Sequence, residues 1–208
     1  MKKLFLLACF IIILPPKPCQ GAEEPVVSIN KRLLKAAEQS NLEGLKQALE
    51  DGAFINSVDY NSRTALHWCA FTGNEPCLRI LLIKNSDPNR KDKNGKTPLH
   101  WAARKNKINC LATLLEFKAN INERNKEGGT ALHESVVEES NESIKFLIEK
   151  NINRSAQMIS GETALDLAKK NKKKSSEKVL KEWPRKILLA KKKFKRFKIS
   201  CFTSFRKK

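Results

Sequence analysis

Four short stretches of this chain spell nearly the same word: RTALHWCA at 63–70, KTPLHWAA at 96–103, GTALHESV at 129–136 and ETALDLAK at 162–169. Their threonines, Thr64, Thr97, Thr130 and Thr163, follow one another at intervals of 33 residues. The stretches CLRILLIKNSDPN, CLATLLEFKANIN and SIKFLIEKNINRS repeat as well. A constant period over four copies means stacked supersecondary units, each burying its apolar face against its neighbours. One period ahead of Thr64 lies KRLLKAAEQSNLEGLKQALEDGAFIN, which keeps two helical patterns but not the Thr-x-Leu-His word. The count is then five units.

Each unit reads as two helices. In TPLHWAARKN the threonine suits a helix N-cap and the proline suits the first turn. Leu99, Ala102 and Ala103 leave an apolar stripe with small residues where helices press together. Gly73 and Asn74 close the first helix of the second unit, and CLRILL forms a buried second helix. Gly52, Asn85, Lys118 and Asn151 follow the second helices, at a position that asks for positive φ; Lys118 is the poor fit. The outer units carry polar residues where inner ones are apolar: Lys31 and Arg32 open the first, and Glu177 and Lys181 replace leucine or isoleucine in the last. Both departures suit caps of a stack.

The period and the Thr-Pro-Leu-His-x-Ala word resemble the ankyrin repeat family over roughly residues 28–183. The resemblance implies an all-α repeat solenoid of about five ankyrin repeats, helix–turn–helix units joined by hairpin loops, with capping terminal repeats. It places the repeat domain at 30–183, after a linker at 23–29. It also implies a protein partner, held by loop tips and the concave side of the first helices. Carried over by slot, that surface holds Tyr60, Arg63, Trp68 and Phe71, then Lys93, Lys96, Trp101, Arg104 and Lys105, then Lys126. The third repeat's face reads as basic with aromatic anchors beside it, a match for a partner with an acidic patch. Trp68 and Trp101 share a slot that packing and binding both claim.

The only histidines, His67, His100 and His133, also share one slot, and Asp166 takes it in the last repeat. The resemblance makes them structural, bridging neighbouring loops. A metal site needs ligands converging on one point, whereas these are spread along the stack, so no metal is expected. Cys77 and Cys110 share a core slot and Cys69 fills an alanine slot, where buried thiols act as small hydrophobes. Cys201 is the one candidate for a reactive or intermolecular thiol. There is no Gly-rich phosphate loop, no GxSxG, no HExxH and no CxxC. No enzyme activity and no cofactor is expected, and the chain is read as a monomer.

The formal charge of +19 is concentrated at one end: residues 169–208 hold 18 Lys/Arg and 2 Asp/Glu. After Trp183 and Pro184, Ile187, Ala190, Phe194, Phe197 and Cys201 fall at helical spacing among Lys191, Lys192, Lys195, Arg196 and Lys198. Residues 184–208 therefore read as a basic amphipathic tail. It fits a capping helix whose apolar side covers the last repeat, or, among functional roles, an anionic membrane surface first; nucleic acid and an address or acidic-partner motif rank behind these. At the other end, MKK, the apolar run Leu4–Leu14 and the stretch PPKPCQGA read as a signal peptide over 1–22. The expected destination is the periplasm or secretion, with a bacterial look to the sequence and an effector role in view.

Overall fold

The computed structural model describes the backbone of residues 26–205 and the side chains of residues 26–189. Ten helices occur in this span, in five antiparallel pairs: α1 (Val26–Glu38) with α2 (Leu42–Glu50), α3 (Ala65–Thr72) with α4 (Glu75–Ile83), α5 (Pro98–Arg104) with α6 (Ile108–Glu116), α7 (Ala131–Val137) with α8 (Asn141–Glu149), and α9 (Ala164–Lys170) with α10 (Lys174–Phe205). The first helices α1, α3, α5, α7 and α9 contact one another in that order, and so do the second helices. The result is a two-layer helical solenoid. Extended pairing among the described residues is limited to single bridges, Val58 with Thr64 and Gln157 with Thr163, at the bases of hairpin loops.

The core repeats with the sequence. Leu33, Leu66, Leu99 and Leu132 fill one buried slot of the first helices; Leu45, Leu78, Leu111 and Ile144 fill another in the second helices. Each such side chain contributes roughly 1.5–3 kcal/mol by leaving water. Alanines 37, 70 and 103 lie between them, fully buried, and let the first helices approach closely. Three threonines of the repeated word are buried at their N-caps, and Thr163 caps the last copy half-exposed.

The turns repeat too. The residues after the second helices have positive φ as expected: 88° at Gly52, 64° at Asn85, 61° at Lys118 and 62° at Asn151. Gly73 closes α3 with φ of 86°, and its amide bonds back to the Cys69 carbonyl. A lysine at 118 bears a steric cost that glycine avoids.

The two ends differ from the boundaries read off the sequence. Helix α1 begins at Val26, inside the stretch assigned to a linker. At the other end no break separates the last repeat from the tail, because α10 runs 32 residues through Pro184. Proline withdraws one helical hydrogen bond there. Trp183 and Ile187 pack on the core either side of it, and Lys145 of α8 sits 5.2 Å from the centre of the Trp183 ring. That packing carries the helix past the proline. The signal-peptide reading of 1–22 falls outside the described residues.

Candidate partner-binding face

The three histidines do one job. In each, Nδ1 accepts the backbone N–H of the capping threonine, at 3.1 Å for Thr64–His67, 3.2 Å for Thr97–His100 and 3.1 Å for Thr130–His133. The threonine Oγ1 lies 2.9–3.1 Å from the same nitrogen. With Nδ1 as acceptor, the proton belongs on Nε2. That N–H donates into the next hairpin: His67 to the Lys96 carbonyl at 3.1 Å, His100 to the Gly129 carbonyl at 3.2 Å. His133 Nε2 has no partner in hydrogen-bond geometry, although the Glu162 carbonyl is near enough to act on its pKa. Burial lowers the pKa of all three, to about 4 at His67. In the last repeat Asp166 accepts from Thr163 N–H and Oγ1–H. A carboxylate has no proton to pass onward, which suits a final repeat with no hairpin after it.

The hairpins carry a second device that sequence reasoning missed. Asp59, Asp92 and Asn125 are one slot, 33 residues apart, and each Oδ1 accepts two backbone N–H groups within its own loop. The period was the available signal, but polar loop residues draw less notice than a helical word. Successive tips are then bonded together: Lys93 N–H to the Asn61 carbonyl, Lys126 to Asn94, and Ile159 to Glu127, all at 2.8–2.9 Å. Tyr60, Lys93, Lys126 and Ile159 therefore project as a row, one per repeat. Tyr60 and Ile159, at its two ends, are 78% and 79% exposed.

Beside the first two tips the structure assembles most of the aromatic residues of the sequence-predicted site. Phe71 packs edge-on between Trp68 and Trp101, with ring centres 6.0 and 5.6 Å away. The Arg63 guanidinium stacks 4.0 Å over Trp68 and reaches Tyr60 at 5.8 Å, while its Nε pairs with Asp59 at 2.9 Å. Trp101 donates its indole N–H to Asp92 at 3.0 Å, and Lys96 lies 5.5 Å over its ring. Lys105 covers Phe71 at 5.2 Å. Packing and exposure are thus combined at both tryptophans, which are half-buried. Toward α1, Tyr60, Arg63 and Trp68 border an open groove of about 820 Å³, whose other wall holds Lys31, Leu34, Lys35 and Glu38.

The free basic face expected on the third repeat is largely neutralised. Lys96 pairs with the buried Glu134 at 2.9 Å; Arg104 bonds Glu138 at 3.1 Å and approaches Glu134 at 3.7 Å; Lys105 meets Glu138 at 3.4 Å. Glu134 also accepts from Asn125 Nδ2 at 3.0 Å. The Arg104 hydrogen bond holds Glu138 below its ordinary pKa. Of the cations assigned to this face, Lys93 and Lys126 alone have no carboxylate partner among the described residues.

A family model for ankyrin repeats in three copies matches residues 33–125 and 80–158, well over half of the chain. The chain belongs to the ankyrin repeat family. No curated protein matches it. Ankyrin repeats are protein-interaction modules in general and typically non-enzymatic. The fold and the histidine slot of this ankyrin chain agree with what its sequence resembles. Cys69, Cys77 and Cys110 are free and buried in its core. A hydrogen bond to Cys77, then burial, pushes the Cys69 thiol up, and burial pushes Cys110 to about 11. Among the described residues no three His, Cys, Asp or Glu side chains converge as metal ligands would. The tail positions Lys191, Lys192, Phe194, Lys195, Arg196, Phe197 and Lys198 all lie on α10, with side chains beyond those described.

Proposed function

We propose that this ankyrin stack is a non-enzymatic, exported binding module that seats a protein partner on its first two hairpin tips and the adjoining first helices. The observation that carries the reading is the aromatic row of Tyr60, Trp68, Phe71 and Trp101, partly open to solvent and running beside the groove toward α1. Partly exposed aromatic and arginine side chains in fixed positions are the anchors that dominate protein interfaces. They are pre-ordered here by Asp59, Asp92 and Lys105, so a partner orders few side chains on docking. Lys31 and Lys35 on the groove wall, with Lys93 and Lys126 at the tips, favour a segment with acidic residues beside an apolar anchor. An effector role outside the producing cell fits the N-terminal apolar run and the family resemblance.

A photo-crosslinking residue at Tyr60, compared with one at Ile83 near the end of α4 (63% exposed), tests the docking face in the producing cell and its medium. A discrete adduct from position 60 and none from position 83 is expected; equal yields from both would sink the assignment. The mass and N-terminus of the protein in each cell fraction test export. A chain starting near Ala22 outside the cytoplasm is expected, and a chain starting at Met1 within the cytoplasm contradicts it.

A further inference from the structure

Helix α10 has more length than the stack uses. Its first turns pack on α8 and α9, but it continues as far as Phe205. From Leu188, just past the last side chain packed on the core, to Phe205 it would measure roughly 27 Å at 1.5 Å per residue. Along it, Trp183, Ile187, Ala190, Phe194, Phe197 and Cys201 recur at alternating steps of four and three, which places them on one face of the helix. Leu188 and Leu189, the last described side chains, are more than half exposed. After Glu182 the sequence has 11 lysines and arginines and no aspartate or glutamate.

The stack itself covers Trp183 and Ile187; three occupants could cover the rest of the face, and charge separates them. A second copy is disfavoured: in the heptad set by Ile187 and Phe194, the flanking positions are Lys186, Lys191, Lys193 and Lys198, so two paired helices would bring like charges together. Nucleic acid would engage the cations, yet leave a regular row of phenylalanines without work. An anionic bilayer surface engages both, with aromatic rings at the headgroup–acyl boundary and lysines against the phosphates. The helix would lie in the surface and not cross it, since no described helix is long and apolar enough to span a membrane. The aromatic row belongs to the second and third repeats, so a protein partner and a membrane would not compete for one surface.

We infer that residues 190–205 of α10 form a membrane-surface helix that binds anionic phospholipid through the Phe194–Phe197 face and the surrounding lysines. This goes beyond protein binding at the hairpin tips and does not depend on it. The test uses the full chain, sedimented with vesicles of phosphatidylcholine alone or with about 30% phosphatidylserine. Binding at least tenfold tighter to the anionic vesicles is expected. Replacing Lys191 or Lys195 by Gln should weaken it about fivefold each, the equivalent of ~1 kcal/mol. The pair Phe194→Asp and Phe197→Asp should abolish it while leaving the unfolding temperature of the repeats in place. Dependence on Phe194 and Phe197 also separates this contact from anything the apolar residues 4–14 contribute. Equal binding to both vesicle types, or vesicle binding that survives both Asp substitutions, overturns the inference. So does duplex DNA binding that is tighter than vesicle binding and indifferent to the phenylalanines.

Discussion

Acid should loosen this stack well before its carboxylates protonate, because the three repeat histidines must be neutral to do their work. Nδ1 of each accepts a backbone N–H from its threonine. Protonation would turn that acceptor into a second donor facing a donor. Burial is the main cause of the lowered pKa at all three sites, with His67 at about 4 against an ordinary 6.5. For a depressed histidine the unfolded chain binds the proton more readily. Its contribution to stability is therefore fully present above about 6.5 and is lost as pH falls toward the folded value. His67 alone should cost about 2.5 kcal/mol between pH 7 and pH 4.5 at 1.36 kcal/mol per unit. The lowered carboxylates, Glu75, Glu123, Glu138, Glu162, Asp166 and Glu177, act in a lower, adjoining window, losing their contribution as pH falls through ordinary values of 4.5 for Glu and 3.8 for Asp toward their lower folded values. Urea unfolding followed by circular dichroism at pH 7 and 4.5 reads the histidine window. With a slope of about 2 kcal/mol per molar, the midpoint should fall by at least about 1 M. His67→Gln, which cannot titrate, should start less stable and fall by less. An unchanged midpoint in the native chain, or an equal fall in the His67→Gln variant, would refute the reasoning.

Three further outcomes follow from particular contacts. Glu134→Ala removes the acceptor shared by Lys96 and Asn125 in a buried site and should cost about 2 kcal/mol in urea unfolding; a loss below about 0.5 kcal/mol, the range of ordinary surface changes, would mean the network is ornamental. Lys118→Gly relieves a left-handed residue and should stabilise by up to about 1 kcal/mol, or about 3 °C in a melting scan; a lower melting temperature would contradict the strain. The last hairpin should exchange its amide hydrogens faster than those before it, because Met158 takes the Asp/Asn slot and His133 Nε2 lacks its acceptor; equal protection at the Met158 and Asp92 amides in hydrogen exchange would count against this.

The repeat architecture was legible because its determinants are local and periodic. Thr97, Pro98, Leu99 and His100 cap, start, pack and tie one helix within four residues, and the word returns every 33. Gly52, Asn85, Lys118 and Asn151 could be placed in the left-handed turn by position alone, including the lysine that fits it badly. The ends were less legible because nothing periodic marks them. Val26 and Val27 join α1 although no repeat word covers them, and Pro184 reads as a break until Trp183 and Ile187 are seen packed on the core. Proline's cost is local, while the packing that overrides it comes from α8, more than thirty residues earlier in the chain.

The proposed binding face shows a different limit. Tyr60, Arg63, Trp68, Phe71 and Trp101 were assigned to it one by one, and the structure brings them together. The charges were misjudged because each repeat was read along its own row. Lys96 meets Glu134 38 residues ahead, and Arg104 meets Glu138 34 ahead. In a stack of 33-residue units, positions about one period apart are neighbours, so charge has to be tallied down columns. Tallied that way, Lys96, Arg104 and Lys105 are joints between the third and fourth repeats. Lys93 and Lys126 stay open because their columns run along the tips, where Tyr60 and Ile159 offer no carboxylate. A partner that reads charge on this face therefore has to read it at the tips, beside Tyr60. Charge reversal at Lys93 should then weaken capture without loosening the stack, whereas reversal at Lys96 should do both, a difference that paired binding and unfolding measurements on the two variants would expose.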